Sequence, residues 1–390
     1  MLFVPFCGHI NIGIEMQITG LKIRAVNIPL IKPYTISLLG KVTTTRSVIV
    51  EVFTDQGLVG IGETDPELMF TGESQQTVMT MLASHLGPAV LGIDPLDLED
   101  LHTRMNAVCV GNHFAKAALD LACHDIWGKY HHAPLYQLFG GMVHPRIEVM
   151  WSLGSDTVEA NVADAVKRVE EGYRTIGLKV GTLSPDEDVR RVAEVRKAVG
   201  ADIKIRCDAN QAWSPNVAVT TIRKLQTYDI CMIEQPVRGW DIEGLAQVRA
   251  GVEAPIAVDE GFFSPRDAVK LVKAGAADIF SIKTTKLGGL LPSRKAAAVI
   301  EAAGHQVFFN SMIELGVSVM SGLNCAVSTP NLSAVGHALN SVRRLRDDIL
   351  KTPVAYEGNY IVAPTGREGL GVELDEAKMK KYSTGEILIP

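Results

Sequence analysis

Between residues 146 and 338 the chain alternates short, almost purely apolar runs with longer stretches in which apolar residues recur every three or four positions. The runs are "IEVMWSL", "TIGLKV", "IKIRCD", "ICMIE", "IAVD", "DIFSIK" and "QVFFN"; "SPDEDVRRVAEVRKAVG" and "SPRDAVKLVKAGA" are examples of what lies between them. A strand buried on both faces reads as a continuous apolar run, and a surface helix as a 3.6-residue stripe. Seven or eight consecutive strand–helix units predict an α/β fold, a parallel sheet covered by helices, and that number favours a closed TIM-like barrel over an open doubly wound sheet. The open sheet is the weaker alternative, because no GxGxxG follows an early strand.

The flanks have a different texture. Residues 17–63 carry strand-like segments ("LKIRAVNIPL", "RSVIVEVFT", "LVGIGET") around the turn "DQG", followed by helical patterns in "GESQQTVMTMLASHLGPAVLG" and "AKAALDLACHDIWGKY". The first part is therefore α+β. The tail from residue 339 returns to irregular, β-like text and is expected to pack back on that first part. The expected organisation is an α+β domain over 16–140, a barrel over 146–338 and a returning segment over 339–390. Because the strand pattern begins at "MQITGLKIRAVNIPL", Met16 is a candidate start, with the first fifteen residues an extension lacking the basic region of a signal peptide.

The composition narrows the partners. A net charge of −6 over 390 residues, without blocks of like charge, gives no footprint for nucleic acid or an anionic membrane, and no stretch has the ~20 apolar residues of a membrane span. The six cysteines are scattered without CxxC pairs, as expected of reduced core residues in a cytoplasmic protein. A small molecule is the expected partner.

The chemistry emerges from the ends of the apolar runs. The second ends at Lys179, the third at Asp208, the fourth at Glu234, the fifth at Asp259 and the sixth at Lys283, at spacings of 29, 26, 25 and 24 residues. In a closed parallel barrel the C-terminal strand ends converge on one mouth, where active sites of that architecture are built. Three converging carboxylates repel one another unless a cation compensates, and an all-oxygen donor set suits Mg²⁺, with Mn²⁺ as a substitute. A lysine of depressed pKa beside a metal-bound carboxylate can act as a general base, and the dication eases formation of the enediolate. The expected reaction class is proton transfer at the carbon next to a carboxylate.

Taken singly, each residue has a plainer explanation. An acid closing a strand is commonly a helix cap or a surface group, and a lysine there is commonly an ion-pair partner. Five successive strands ending Lys, Asp, Glu, Asp, Lys are harder to explain that way. Glu260, beside Asp259, reads as a loop support. Histidine offers no competing site: His305 precedes the seventh strand, while His113 and His124 lack metal-site spacing, the former being a pocket-facing candidate and the latter a core or capping residue. No GxSxG elbow is present to support Ser-His-Asp catalysis.

These residues resemble the enolase superfamily, specifically its muconate-lactonizing-enzyme subgroup. "GIGET", "GNHFAKAALDLACHD", "LKVG", "DANQAW", "IEQP", "VDE", "IKTTKLGG" and "SMIELG" occur in family order. The resemblance implies an α+β cap, completed by the C-terminal segment, over a (β/α)7β barrel. It also implies Mg²⁺ on Asp208, Glu234 and Asp259, acid/base lysines at Lys179 and Lys283, and assembly into a homo-oligomer. The mandelate-racemase subgroup matches less well, since it carries an Asp-His dyad where this chain has Lys283. "MFTGES", "WSLGS" and "SMIELG" most resemble cycloisomerases that interconvert muconate and its lactone. There Lys179 would exchange the α-proton with Lys283 as electrostatic partner, and Glu314 would position substrate or hold a lysine. Asn210 and Tyr34, in "DANQAW" and "KPYTISLLG", complete the expected substrate-binding set.

One departure stands out. The family's Lys-x-Lys reads Gly177-Leu178-Lys179 here. Loss of that companion cation leaves room and one charge fewer, which keeps open a racemase, epimerase or dehydratase of an amino-acid derivative such as a proline betaine or hydroxyproline. A non-catalytic barrel scaffold is the alternative of another class. The loops 32–40 and 66–74, mostly apolar and small polar, point to a small, weakly polar acid.

Overall fold

The computed structural model describes residues 16–36 and 40–390; the fifteen residues ahead of Met16 and the loop tip 37–39 lie outside the described residues. Its strands, in chain order, begin with β1 (Ile18–Val26), β2 (Pro29–Ile36), β3 (Gly40–Thr44), β4 (Ser47–Thr54) and β5 (Val59–Thr64). The central ones are β6 (Arg146–Glu148), β7 (Trp151–Leu153), β8 (Thr175–Lys179), β9 (Lys204–Asp208), β10 (Ile230–Glu234), β11 (Ile256–Val258), β12 (Ile279–Ile282) and β13 (Gln306–Phe309). The last are β14 (Tyr356–Glu357), β15 (Tyr360–Val362) and β16 (Ser383–Ile389).

Seven strands form one parallel sheet in sequence order from β7 to β13. Their side chains are buried almost throughout, which is why they read as unbroken apolar runs. Helices follow each strand, and three of them start at Ser-Pro, with Ser184, Ser214 and Ser264 at the N-cap and proline in the first turn. The residues of the run "IEVMWSL" divide: β6 leaves to pair with β15, while β7 joins the barrel.

The eighth stave is not a regular strand. Segment 332–338 fills the gap between β13 and β7: Ser333 N donates to Val307 O (2.8 Å) and Ala338 N to Phe309 O (3.0 Å) on one side. On the other, His337 N donates to Glu148 O and Met150 N to His337 O, both at 2.9 Å. The barrel is thereby closed.

The cap rests on a four-stranded antiparallel sheet, ordered β16-β1-β4-β5, so the C-terminal segment does return to the first part of the chain. The helix His113–Tyr130 lies so close on β5 that a Cβ at Gly60 or Gly62 would stand 2.0 Å from Ala122 O or 1.8 Å from Ala118 O. Between these glycines and the barrel, Glu63 accepts from Leu315 N (2.6 Å) and Ser318 N (2.8 Å) at the start of the helix Gly316–Val327. The "GIGET" segment therefore combines glycines for close packing with an acid that fastens the cap to the barrel. Among the described residues, no helix is long and apolar enough to cross a membrane.

His337 sits in the closing stave, buried, with Nδ1 accepting from Phe309 N at 2.9 Å. Burial, with Arg206 nearby, pushes its pKa down to about 3. The unfolded chain binds a proton that the fold refuses, so this contribution to stability is intact above the ordinary value of 6.5 and is lost as pH falls towards 3. Between pH 7 and pH 5 the protein is expected to lose about 2 kcal/mol more stability than His337→Asn, which keeps an acceptor but does not titrate. Urea midpoints at the two pH values measure the difference.

Candidate active site

The five residues marked by the strand ends come together. Lys179, Asp208 and Glu234 are the last residues of β8, β9 and β10, while Asp259 and Lys283 lie one position beyond β11 and β12. Lys179 is in register with Asp208, and Asp208 with Glu234, so they stand at one level on adjacent staves.

Each carboxylate meets a cation. Lys179 Nζ bonds to Asp208 Oδ2. Arg206 reaches Glu234 Oε2 at 2.5 Å, and Asn310 Nδ2 donates to Glu234 Oε1 at 2.8 Å. Asp259 takes two lysines, Lys283 on Oδ2 and Lys286 on Oδ1, both at 2.6 Å. The charge states follow. Burial, reinforced by Asp208 and Asp259, raises Glu234 to about 7 against the pull of Arg206. Burial also opposes ionisation of Asp259, yet Lys283 and Lys286 hold it below its ordinary range. Lys179 and Lys283, against the cost of burial, are held above the ordinary lysine range, principally by Asp208 and by Asp259 respectively. The expected depressed lysine pKa is therefore absent from this arrangement, because each lysine is clamped to an acid.

Strained backbone sets the side chains. Asn210, Gln211 and Gln235, just past β9 and β10, have φ of 42°, 67° and 37°, a region non-glycine residues rarely occupy. Gln235 Oε1 accepts from Asp259 N (2.9 Å) and Gly261 N (3.1 Å), while Asn210 Nδ2 donates to Glu260 Oε1 (3.0 Å). Glu260 supports the loop, as expected from the sequence, and burial lifts its carboxyl to about 8.

A cavity of about 240 Å³ opens over this mouth, lined by Lys179, Asp208, Glu234 and Lys283 from the barrel and by Tyr34 and Phe70 from the cap. Asn210 lines it too, whereas Glu314 and His113 do not. Glu314 is buried behind the wall, accepting from Thr285 Oγ1 (3.2 Å) and near enough to Lys283 to feel its charge. His113 packs against Phe263 instead, and His124 is a core residue bonded to Asp120 O. Gly177 does not leave open space: a Cβ there would meet Met150 Sδ at 3.3 Å and Arg206 Cγ at 3.5 Å. Nor is charge missing, since Arg206 is the register partner of Gly177 and lines the same cavity.

Arg206, Lys286, Asn310 and Arg344 are the site residues that strand-end reasoning misses. Arg206 and Lys286 could have been found, as basic residues inside an apolar run and beside Lys283; the other two depend on loop conformation. Among the described residues no three carboxylate, imidazole or thiol groups stand close enough to hold one ion. The donor set nevertheless suits an oxygen-seeking cation: three carboxylates on adjacent staves, with two further buried oxygens, Asn210 Oδ1 and Glu260 Oε2, lacking a hydrogen-bond partner.

Residues 18–140 match the family described as "Mandelate racemase / muconate lactonizing enzyme, N-terminal domain", and residues 161–378 match "Enolase C-terminal domain-like". The N-succinyl-L-Arg/Lys racemase of Bacillus cereus is 34% identical over 375 residues, spanning 96% of this chain and all of that protein. A crystal structure of the dipeptide epimerase from Enterococcus faecalis V583, complexed with Mg and the dipeptide L-Leu-L-Tyr, superposes with a TM-score of 0.87 at 34% identity, covering 92% of this chain and 99% of that one. Muconate cycloisomerase 1 of Acinetobacter baylyi is 32% identical over 360 residues, 91% of this chain and 96% of that protein.

Arg206→Met is expected to destabilise the fold by about 3–5 kcal/mol in the presence of a chelator, because it leaves Glu234 buried without its cation. The cost of a raised carboxyl accrues up to its folded pKa, so in the wild type it levels off above about 7, whereas in the variant, where loss of Arg206 raises Glu234 further, it keeps growing. The deficit in urea midpoint should accordingly be larger at pH 8 than at pH 6.

Proposed function

The chain belongs to the mandelate racemase / muconate lactonizing enzyme family of the enolase superfamily, and we propose that it is a racemase or epimerase acting on the α-carbon of an N-acylated amino acid or dipeptide. It is an isomerase of that superfamily; the finer statement is our reading. The observation that carries it is the placement of Lys179 and Lys283, four staves apart in a ring of eight and therefore facing each other across the mouth. A base on each side of one carbon can take a proton from one face and return it to the other, which inverts the centre.

In this reading Asp208, Glu234 and Asp259 hold Mg²⁺, with Mn²⁺ as a substitute. A dication held by these three carboxylates would supply charge stabilisation for the negative charge that develops on the substrate carboxylate. Lys179 removes the α-proton of one enantiomer and Lys283 delivers a proton to the opposite face, the roles reversing in the other direction. Lys286 keeps Asp259 oriented, with Nζ also donating to Asp259 O at 2.6 Å. Asn310 and Arg206 fix the two oxygens of Glu234. Tyr34, whose hydroxyl pairs with Ser152 Oγ at 2.6 Å, and Phe70, whose ring lies 5.7 Å from Lys283 Nζ, shape the substrate space. Asn210 lines the cavity and also holds Glu260, whereas Glu314 contributes from behind the wall through Thr285.

Muconate cycloisomerisation is the second reading, supported by the Acinetobacter baylyi relative; it needs Lys179 as base and Lys283 only as a charge. It ranks lower because it leaves the second lysine without a proton-transfer step. A betaine or hydroxyproline substrate loses its main support with the filling of the space at Gly177. The division into cap (16–140), barrel (146–338) and returning segment (339–390), and assembly into a homo-oligomer, belong to the same proposal.

Proton NMR in D₂O with Mg²⁺, over a panel of N-acyl amino acids and dipeptides, tests the reading. Exchange of the α-proton with loss of optical activity is expected, chelation should abolish it, and Lys179→Ala and Lys283→Ala should each slow racemisation by about 10³-fold or more. Each variant should still wash deuterium into one enantiomer only. Ring closure of muconate without exchange on the panel would instead establish the second reading, and full racemisation by either variant would sink the two-base mechanism.

A further inference from the structure

Resting on the proton-transfer reading, the cavity also carries information about the far end of its substrate. Six cationic side chains line it, Lys41, Arg46, Lys179, Arg206, Lys283 and Arg344. Three are paired with the strand-end acids. Lys41 and Arg46 are exposed on the cap. Arg344 is different: it is half-buried at the end of the short turn Ser341–Arg344, and among the described residues no carboxylate pairs with it. Asp164, close enough to favour its charge, is already engaged by Arg168 at 3.0 Å.

The guanidinium is nevertheless held firmly. It lies over the rings of Trp151 (4.2 Å) and Tyr34 (4.5 Å), and one nitrogen donates to Ser152 O at 2.7 Å. The two rings and the Ser152 bond hold the fork in place, and that bond accounts for one of its five N–H donors. A half-buried guanidinium that lines the cavity, with donors beyond the one given to Ser152 O, is suited to a planar two-oxygen anion. Tyr34 stands between it and the chemistry, touching Arg344 with its ring and near enough to Lys179 to bias that lysine's charge.

We propose that Arg344 clamps a second carboxylate of the substrate, so that the acid enolised between Lys179 and Lys283 carries another anionic group at the end of its acyl or side chain. This replaces the expectation of a weakly polar acid: the cap loops supply apolar walls, but the wall formed by β7 and the 341–344 turn supplies an anion anchor. It makes Arg344 a specificity determinant, with Trp151 and Ser152 as its positioning residues.

The test compares the Mg²⁺-loaded enzyme on N-malonyl, N-succinyl and N-glutaryl L-phenylalanine with their ω-amides, by α-proton exchange in D₂O. For at least one chain length the carboxylate should exceed its amide by about 10- to 100-fold in kcat/KM, the scale of a charge-assisted hydrogen-bond pair. In Arg344→Met that ratio should collapse to within about threefold, mainly through KM, and Arg344→Lys should restore part of it. No preference at any length, or a preference that survives Arg344→Met or vanishes only in Lys41→Met or Arg46→Met, overturns the clamp. Exchange on none of the six acids would count against the proton-transfer reading, and calorimetry then decides the clamp separately. Malonate, succinate or glutarate should bind the wild type at least tenfold more tightly than its monoamide, and Arg344→Met should erase that margin. Equal binding of acid and amide overturns the proposal.

Discussion

Three carboxylates are buried at the ends of neighbouring parallel strands, and much of the site's architecture answers the repulsion this creates. Unit charges about 5 Å apart, the spacing between strands, repel by roughly 3–4 kcal/mol at an effective dielectric of 20. The chain meets the problem with four cations. Arg206 comes from inside β9, Lys179 from the end of β8, Lys283 from the position just past β12, and Lys286 from three residues further on. Even so, the carboxyl of Glu234 is raised to about 7, by burial first and by the neighbouring Asp208 and Asp259 second. The same side chains that offset the repulsion are the ones to which the proposed proton transfer assigns its roles.

This coupling explains why the lysines differ from what a general base needs. A base must be able to give up its proton near neutral pH, yet Asp208 and Asp259 hold Lys179 and Lys283 firmly charged. In these ion pairs acid and base neutralise each other.

The barrel and its five charged strand ends were legible because each rests on a local rule. Parallel strands buried on both faces leave unbroken apolar runs, and the residue ending each run lies at the mouth. What escaped was whatever depended on a nonlocal partner. Segment 332–338 closes the barrel through bonds to β13, Glu148 and Met150 without any strand-like pattern of its own. The run "IEVMWSL" hid a change of sheet between Glu148 and Trp151, because both halves are apolar wherever they pack. Gly177 suggested vacancy, but the space had been claimed by Met150 and Arg206 from adjacent elements. Arg344 lies in a turn and is defined by the Trp151 and Tyr34 faces that hold it, one on the first barrel strand and one on the cap.

The pairing of β1 with β16 places residues 18–26 beside residues 383–389 in one sheet. In topological terms the barrel is an insertion whose two ends are tied together by a folded cap. A cap that stayed folded around an unravelled barrel would have to close a very long, disordered loop, an entropic penalty that rises only with the logarithm of length but is never recovered. Glu63 adds a direct tie to the helix Gly316–Val327. Neither layer can loosen alone without losing the other's anchorage, which makes the two structurally distinct layers behave as one cooperative unit.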